Sequence, residues 1–293
     1  MQIKVLAPAK INLSLDIVGK RDDGYHDVAM VMQAVSLYDT VTVSDEVDEN
    51  CSSDIVVTCD VAGIPTDDSN IVCKAAKAYF KYCDIKPKKI SIDIQKRIPS
   101  QAGLAGGSTD GAAVILALNR MFDTKLSQSQ MCEIGATVGA DVPFCIVGGT
   151  KLASGTGTTM EKLPSLTKCN ILICKPDVSV STAQAYAKAD SKEPKGFKVT
   201  DEVVKFLYKR NLRGVSQCLY NEFEAVMQIP EISSIKKSML KGKALGACMS
   251  GSGSAVFGIF LNEKKATLCK DKMSATYDKL FLCTPISGGC KIV

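Results

Sequence analysis

The sequence specifies an α+β chain, and three observations carry that reading. Apolar residues alternate at Ile11, Leu13, Leu15 and Ile17, and again at Ile90, Ile92 and Ile94, the period of half-buried strands. Helical spacing with start signals marks Asn70 to about Tyr82 and the stretch beginning at Ser127. Between Ile98 and an apolar run at Asp110–Asn119 lies a segment of small residues, Pro99–Thr109, which reads as strand, loop, helix.

Taken in order, the first alternating segment is followed by two short β candidates, Val41–Val43 and Ile55–Thr58. The helix near residues 70–82 has Ser69 or Asn70 as a candidate N-cap. Ser127 and Gln130 form a capping-box pattern, Met131, Ile134 and Val138 recur at helical spacing, and Gly139 supplies a stop. Gly148-Gly149 precedes the strand-like Thr150–Ala153, and a soft domain boundary is expected near residues 148–165. The polar stretch Ala189–Thr200, with Pro194 and Gly196, reads as an exposed loop, and Met249–Phe260 as glycine-punctuated strand.

At 293 residues the chain has room for one large domain or two smaller ones. Hydrophobic residues at 46% and charged residues at 23% are the balance of a globular protein, and no run approaches the roughly 20 apolar residues that span a bilayer. The apolar stretch at the N-terminus is too short for a signal peptide, so a cytoplasmic setting is expected, without membrane partners. The net charge of +5 is modest, and runs such as Lys86–Lys89 suit solvated faces rather than a nucleic-acid surface. Thirteen cysteines, an odd number with no Cys-x-x-Cys pair, read as buried free thiols in a reducing compartment. A zinc site lacks ligand spacing and has only His26 to draw on.

Glycines 103, 106 and 107 let backbone approach a ligand closely, with Ala102, Leu104 and Ala105 among them and Pro99, Ser100 and Gln101 before them. Ser108, Thr109 and the helix start beyond would offer unpaired N–H groups and a positive dipole end, which suits phosphate. A tight strand-to-helix turn explains such a cluster equally well. The segment is neither Gly-x-x-x-x-Gly-Lys-Ser/Thr nor a dinucleotide-binding Gly-x-Gly-x-x-Gly. Gly251-Ser252-Gly253 is a second glycine turn, read alone as a strand bend, but able to grip one triphosphate from another side.

For chemistry, no Gly-x-Ser-x-Gly elbow accompanies His26, and the His-Arg-Asp and Asp-Phe-Gly motifs of protein kinases are absent. Lys10, in Ala7-Pro8-Ala9-Lys10-Ile11-Asn12, and Asp141, in Gly139-Ala140-Asp141-Val142-Pro143, stand out as charges in apolar company. Lys10 also fits a solvated strand end, and Asp141 an N-cap or Asx turn. As a pair, the carboxylate would take a hydroxyl proton while the ammonium steadies the incoming charge.

Read together, these motifs and Ser250–Gly253 resemble the galactose/homoserine/mevalonate/phosphomevalonate kinase superfamily. More narrowly, Asp22-Asp23-Gly24-Tyr25-His26 is similar to the 4-diphosphocytidyl-2-C-methyl-D-erythritol kinases of the non-mevalonate isoprenoid pathway. The resemblance implies a two-domain α+β kinase fold with its active site in the interdomain cleft. Residues 1–150 would be the ATP-binding and catalytic domain, and 151–293 the substrate side. It implies ATP and Mg²⁺ as cofactors, with no metal-ligating side chain assigned, and a small-molecule cytidyl-diphosphate substrate. Asp141 would be the base, Lys10 its partner, Asn12 a neighbour of the substrate, and Pro99–Thr109 the wrap around the ATP phosphates. His26 would bond the cytosine edge, with Tyr25 and Tyr186 stacking on its two faces. The rivals are another kinase of the superfamily and a non-catalytic nucleotide-binding protein.

Three departures from the family pattern set expectations. Ala102 and Ala105 stand where glycine is common, which requires a negative φ or room for a methyl group. Asp110 stands where a neutral residue is usual, so its carboxylate must bind metal, cap the helix or point away. Gly155-Thr-Gly157-Thr158 lacks the glutamate often found after the second glycine.

Overall fold

A computed structural model describes residues 1–45, 54–86, 89–180, 182–191 and 198–293. Two strands of 19 residues, β1 (Gln2–Lys20) and β2 (His26–Ser44), open the chain as an antiparallel ribbon. They are followed by β3 (Ile55–Cys59), α1 (Ile71–Tyr82), β4 (Ile90–Gln95), α2 (Gly106–Met121), α3 (Gln128–Val138), α4 (Val142–Val147), β5 (Thr150–Gly155) and β6 (Thr159–Lys162). The remainder comprises β7 (Asn170–Cys174), α5 (Thr182–Asp190), α6 (Val199–Tyr208), α7 (Leu212–Gln217), β8 (Tyr220–Asn221), α8 (Glu222–Met227) and α9 (Pro230–Lys241). It ends with β9 (Gly246–Met249), β10 (Val256–Phe260), α10 (Glu263–Met273), β11 (Leu280–Cys283) and β12 (Lys291–Ile292).

Eight strands form one sheet on the path β12-β1-β2-β4-β3, with β5 paired to β2, β6 to β5, and β8 to β1. β5 and β6, just past residue 150, thus extend the sheet that β1 and β2 begin. The other sheet is an antiparallel four-stranded one, β11-β7-β10-β9. Ile11, Leu13, Ile98 and Leu104 share a buried cluster with Ile171, Ile173, Phe257 and Ile259, joining the two sheets. Burying each such side chain contributes about 1.5–3 kcal/mol, which anchors the back of the glycine-rich segment.

The first strand runs well beyond the alternation at Ile11–Ile17, because Ala7 to Asp16 are all buried. A strand covered on both faces loses its period of two, so only part of it announces itself. One edge of β1 pairs with β2; the other carries β12 at Val5 and Leu6 and β8 at Ser14 and Leu15. The stretch between is left for loops. There Lys10 N–H donates to Leu104 O at 3.1 Å, and Asn12 N–H to Ser250 Oγ at 3.2 Å.

The helix starts follow their signals. Asn70 Oδ1 accepts from the Val72 N–H at 3.0 Å, Ser127 and Gln130 complete a capping box, and Gly139 ends α3. The apolar helix expected from Asp110 instead begins at Gly106, so Gly106–Thr109 form its first turn rather than the end of the loop. In the polar stretch 189–200, Ala189 and Asp190 close α5 and Val199 opens α6, while 192–197 lie outside the described residues. No helix among the described residues is long and apolar enough to cross a membrane.

Candidate active site

The glycine-rich segment is a loop of left-handed corners. Gln101, Gly103 and Ala105 have φ of 51°, 70° and 59°. Of the two ways an alanine could stand here, Ala105 takes the one without a negative φ: its Cβ is accepted in a conformation that costs an L-residue roughly 1–2 kcal/mol. Ala102 keeps a negative φ and is buried. Ala105 occupies the N-cap of α2 and gives no side-chain hydrogen bond to it, so the N–H groups of the first turn face outward uncapped. A helix start of this kind can receive an anion through backbone alone.

The second glycine turn closes against the first. Ser250 Oγ donates to Gly103 O at 2.9 Å, and Ala255 N–H to Ala102 O at 3.2 Å. A Cβ on Gly103 would lie 1.9 Å from Ser250 O, and only glycine fits there. Asn221 holds the turn from behind, its Nδ2 donating to Met249 O and Gly251 O, each at 2.8 Å, while its Oδ1 caps α8.

Lys10 lies under this joint, in mid-strand rather than at a solvated strand end, and is 4% exposed. Its Nζ donates to Asn12 Oδ1 at 2.6 Å and stands 3.8 Å from Asp141 Oδ2. Asp141 occupies the N-cap position of α4, yet its side chain makes no capping bond. The carboxylate is left to face Lys10 across a gap that is a charge contact, not a hydrogen bond.

Two cavities meet at this point. One, of about 400 Å³, is walled by Pro99–Ser108, Asn70 and Ile71 of the α1 start, and Lys96 and Asp110. The other, of about 300 Å³, is walled by Lys10, Asn12, Asp141, Tyr186, Gly251 and Ser252, among others. Gly103 and Ser108 line both. A larger cavity of about 690 Å³ beside α1 and β3, lined by residues such as Ile55, Phe80 and Lys86, shares none of these residues. Thr109 lines neither described cavity: it is fully buried, with its hydroxyl 3.6 Å from Cys290 Sγ.

Asp110 does not cap the helix: it lies on the wall of the loop's cavity, and its carboxyl is engaged by a buried lysine. Lys96 Nζ donates to Asp110 Oδ2 at 2.7 Å and to Asp39 Oδ2 at 2.5 Å, all three residues being buried. Burial pushes the Asp110 carboxyl up to about 8 against the pull of Lys96. Burial also works against the Lys96 ammonium, but the charges of Asp110 and then Asp39 outweigh it and raise its pKa. Sequence reading passed over Lys96 and Asp39, although a charged residue in the apolar run of α2 signals a buried partner.

The aromatic residues divide. Tyr186 on α5 stacks on His26 with ring centroids 4.4 Å apart and meets Phe223 edge-on at 4.8 Å. Burial, and then the charge of Asp141, raise the Tyr186 phenol pKa, in keeping with its place over the Lys10–Asp141 cavity. His26 Nε2 lies 2.5 Å from Asp190 Oδ1, and Asp190 Oδ2 accepts from Lys20 at 2.7 Å. Tyr25 is 67% exposed and touches no other ring among the described residues, so it stands apart from the pair. Asp190 was missed because it lies in the stretch read as loop.

No group of three or more His, Cys, Asp or Glu among the described residues could hold a metal ion, and twelve cysteines are free. Burial raises the thiol pKa of most of these, as for Cys174, pushed up to about 12.

Comparison with known proteins matches residues 70–149 to the GHMP kinases N terminal domain and residues 203–279 to the GHMP kinases C terminal domain. A 4-diphosphocytidyl-2-C-methyl-D-erythritol kinase of Caldicellulosiruptor saccharolyticus is 43% identical, with 95% of each chain covered. One of Acetivibrio thermocellus is 44% identical over 91% of this chain and 93% of its own. A crystal structure of a 4-(cytidine 5'-diphospho)-2C-methyl-D-erythritol kinase superposes with a TM-score of 0.78 at 29% identity, covering 98% of this chain and 100% of its own. The two-domain α+β kinase fold is that of the GHMP kinases, and the chain belongs to the 4-diphosphocytidyl-2-C-methyl-D-erythritol kinase family.

Proposed function

We propose that the protein transfers the γ-phosphoryl group of ATP to the 2-hydroxyl of 4-diphosphocytidyl-2-C-methyl-D-erythritol, in the non-mevalonate isoprenoid precursor pathway. The observation that carries this reading is the meeting of the two cavities at Gly103 and Ser108. A triphosphate laid on the loop and the uncapped start of α2 directs its last phosphorus toward Lys10 and Asp141. An acceptor hydroxyl enters from the other cavity, between the ammonium and the carboxylate.

In this reading Asp141 takes the hydroxyl proton as the oxygen–phosphorus bond forms and ADP leaves with the electrons of the broken bond. Lys10, held by Asn12 Oδ1, stabilises the negative charge gathering on the transferred group. Positioning and electrostatics supply most of the acceleration. Mg²⁺ would enter with the nucleotide and would neutralise phosphate charge there. His26 and Tyr186 form the wall that receives the cytosine, with Tyr25 at its outer rim. Residues 1–150 supply the nucleotide loop and the catalytic pair, and 151–293 supply Tyr186 and the second glycine turn. The buried free thiols support a cytosolic setting.

The test is ADP release in a coupled assay with ATP and the cytidyl-diphosphate substrate, compared with CDP alone, homoserine and mevalonate. Release with the first alone is expected; release with homoserine or mevalonate instead would move the chain to another branch of the superfamily. Asp141→Asn should bind ATP normally and lose roughly 10²–10⁴-fold in turnover. Near-normal turnover would remove Asp141 from its role.

A further inference from the structure

Lys96, Asp39 and Asp110 form a buried cluster against the phosphate loop that the transfer step does not use. One ammonium faces two carboxyls, at 2.5 and 2.7 Å, and the residues are 8%, 0% and 3% exposed. The two carboxyls are not equivalent. Asp39 Oδ1 also accepts from the backbone N–H groups of Arg97 and Ile98, at 2.5 and 2.8 Å, so both of its oxygens have hydrogen-bond donors. Asp110 Oδ1 is buried with no hydrogen-bond partner among the described residues. Of the pair, Asp110 is the one that keeps a proton.

The groups facing Asp110 are few. From β2 comes Asp39, and from the segment after β4 comes Lys96. From the chain before β12 comes the Cys290 thiol, pushed up to about 12 by burial and therefore neutral. The facing part of α1 presents the uncharged Ile71 and Ala75 to α2. With both carboxyls ionised the cluster bears a net negative charge; with one proton it is neutral.

That charge has an address. Asp110 sits in the opening turns of α2, and Lys96 Nζ lies 3.3 Å from where a Cβ on Gly106, the first residue of the helix, would be. A negative charge there opposes the positive helix end on which the triphosphate rests.

We propose that Asp110 is a positioning residue of the ATP site that works in its protonated form, so that ATP binding is coupled to a proton held between Asp110, Lys96 and Asp39. The coupling rests on the reading of the glycine loop as the ATP site. By reciprocity, ATP binding draws a proton onto the cluster where Asp110 is partly ionised. Because burial places the Asp110 titration at about 8, the affinity for ATP falls as pH rises through that value.

The experiment compares the wild type with Asp110→Asn, whose amide cannot ionise. KM for ATP is measured from pH 6.5 to 9.5, each profile divided by its own value at pH 6.5, which removes the titration of ATP itself from the comparison. The wild-type value should rise roughly five-fold or more relative to the variant above pH 8, while KM for the cytidyl substrate shows no such divergence. Superimposable profiles would overturn the proposal. Calorimetry of ATP binding to the wild type at pH 8, in two buffers of different ionisation enthalpy, gives a reading that needs neither the variant nor turnover. Net proton uptake is expected, and its absence overturns the coupling. Proton-linked ATP binding without phosphorylation of the cytidyl substrate would sink the activity and spare the cluster; turnover with pH-flat ATP affinity would do the reverse.

Discussion

Gly103→Ala drives a methyl group into the joint between the two glycine turns. The new Cβ would stand 1.9 Å from Ser250 O, 2.8 Å from its carbonyl carbon and 3.0 Å from Gly253 N. These are backbone atoms and cannot rotate aside. The φ of 70° adds roughly 1–2 kcal/mol for an L-residue. Relieving the clash means parting the turns, which breaks the Ser250 Oγ–Gly103 O and Ala255 N–Ala102 O bonds. At about 0.5–1.5 kcal/mol each, the total comes to roughly 2–5 kcal/mol. That is a large part of the stability of an ordinary domain. Urea unfolding should show a lower midpoint at unchanged slope, and turnover should fall roughly 100-fold because the loop has shifted by about an ångström. A variant with wild-type midpoint and wild-type kcat/KM would refute the claim that the two turns form one rigid grip.

Ala105→Gly removes a left-handed strain of roughly 1–2 kcal/mol and returns about 0.4–1 kcal/mol of it as unfolded-chain entropy. Thermal unfolding should therefore show a small gain or no change, and a clear loss would contradict the strain. His26→Ala deletes the partner of Asp190 and the stacking face of Tyr186; KM for the cytidyl substrate should rise about tenfold with KM for ATP unmoved, in line with one charged hydrogen bond. Asp110 in the folded chain holds, up to about 8, a proton that its unfolded counterpart releases near 3.8, so wild-type stability should decline as pH rises across that window. Denaturation midpoints at pH 5 and pH 9 should show a shallower decline for Asp110→Asn; parallel declines would count against a buried proton.

What the sequence made legible was local. The capping box, the helix stop at Gly139 and the small-residue segment are each written within a few positions, and the structure has each of them. Lys10 and Asp141 were legible as charges in apolar company, and the fold brings them to 3.8 Å. The length of β1 was hidden because both faces are covered, which erases alternation. The Lys96 cluster was hidden because its members are 14 and 57 positions apart, with no local pattern to connect them. The choice at Ala105 was left open for a related reason: its φ is imposed by the loop's closure onto a turn far along the chain, not by its neighbours in sequence.

The joint between the loop and the turn also sets an order in time. Ser250 is 147 positions from Gly103 and 238 from Asn12, the two partners of its hydroxyl. Contacts of such separation carry the largest loop-closure entropy and form late in folding. In a growing chain the residues of the β1–β2 ribbon and of α2 are all synthesised long before Ser250 leaves the ribosome. Until then Lys10 has no roof and the loop no clasp. The enzyme is therefore silent until nearly its whole length has been synthesised, and its onset of activity during translation reports the docking of one short turn.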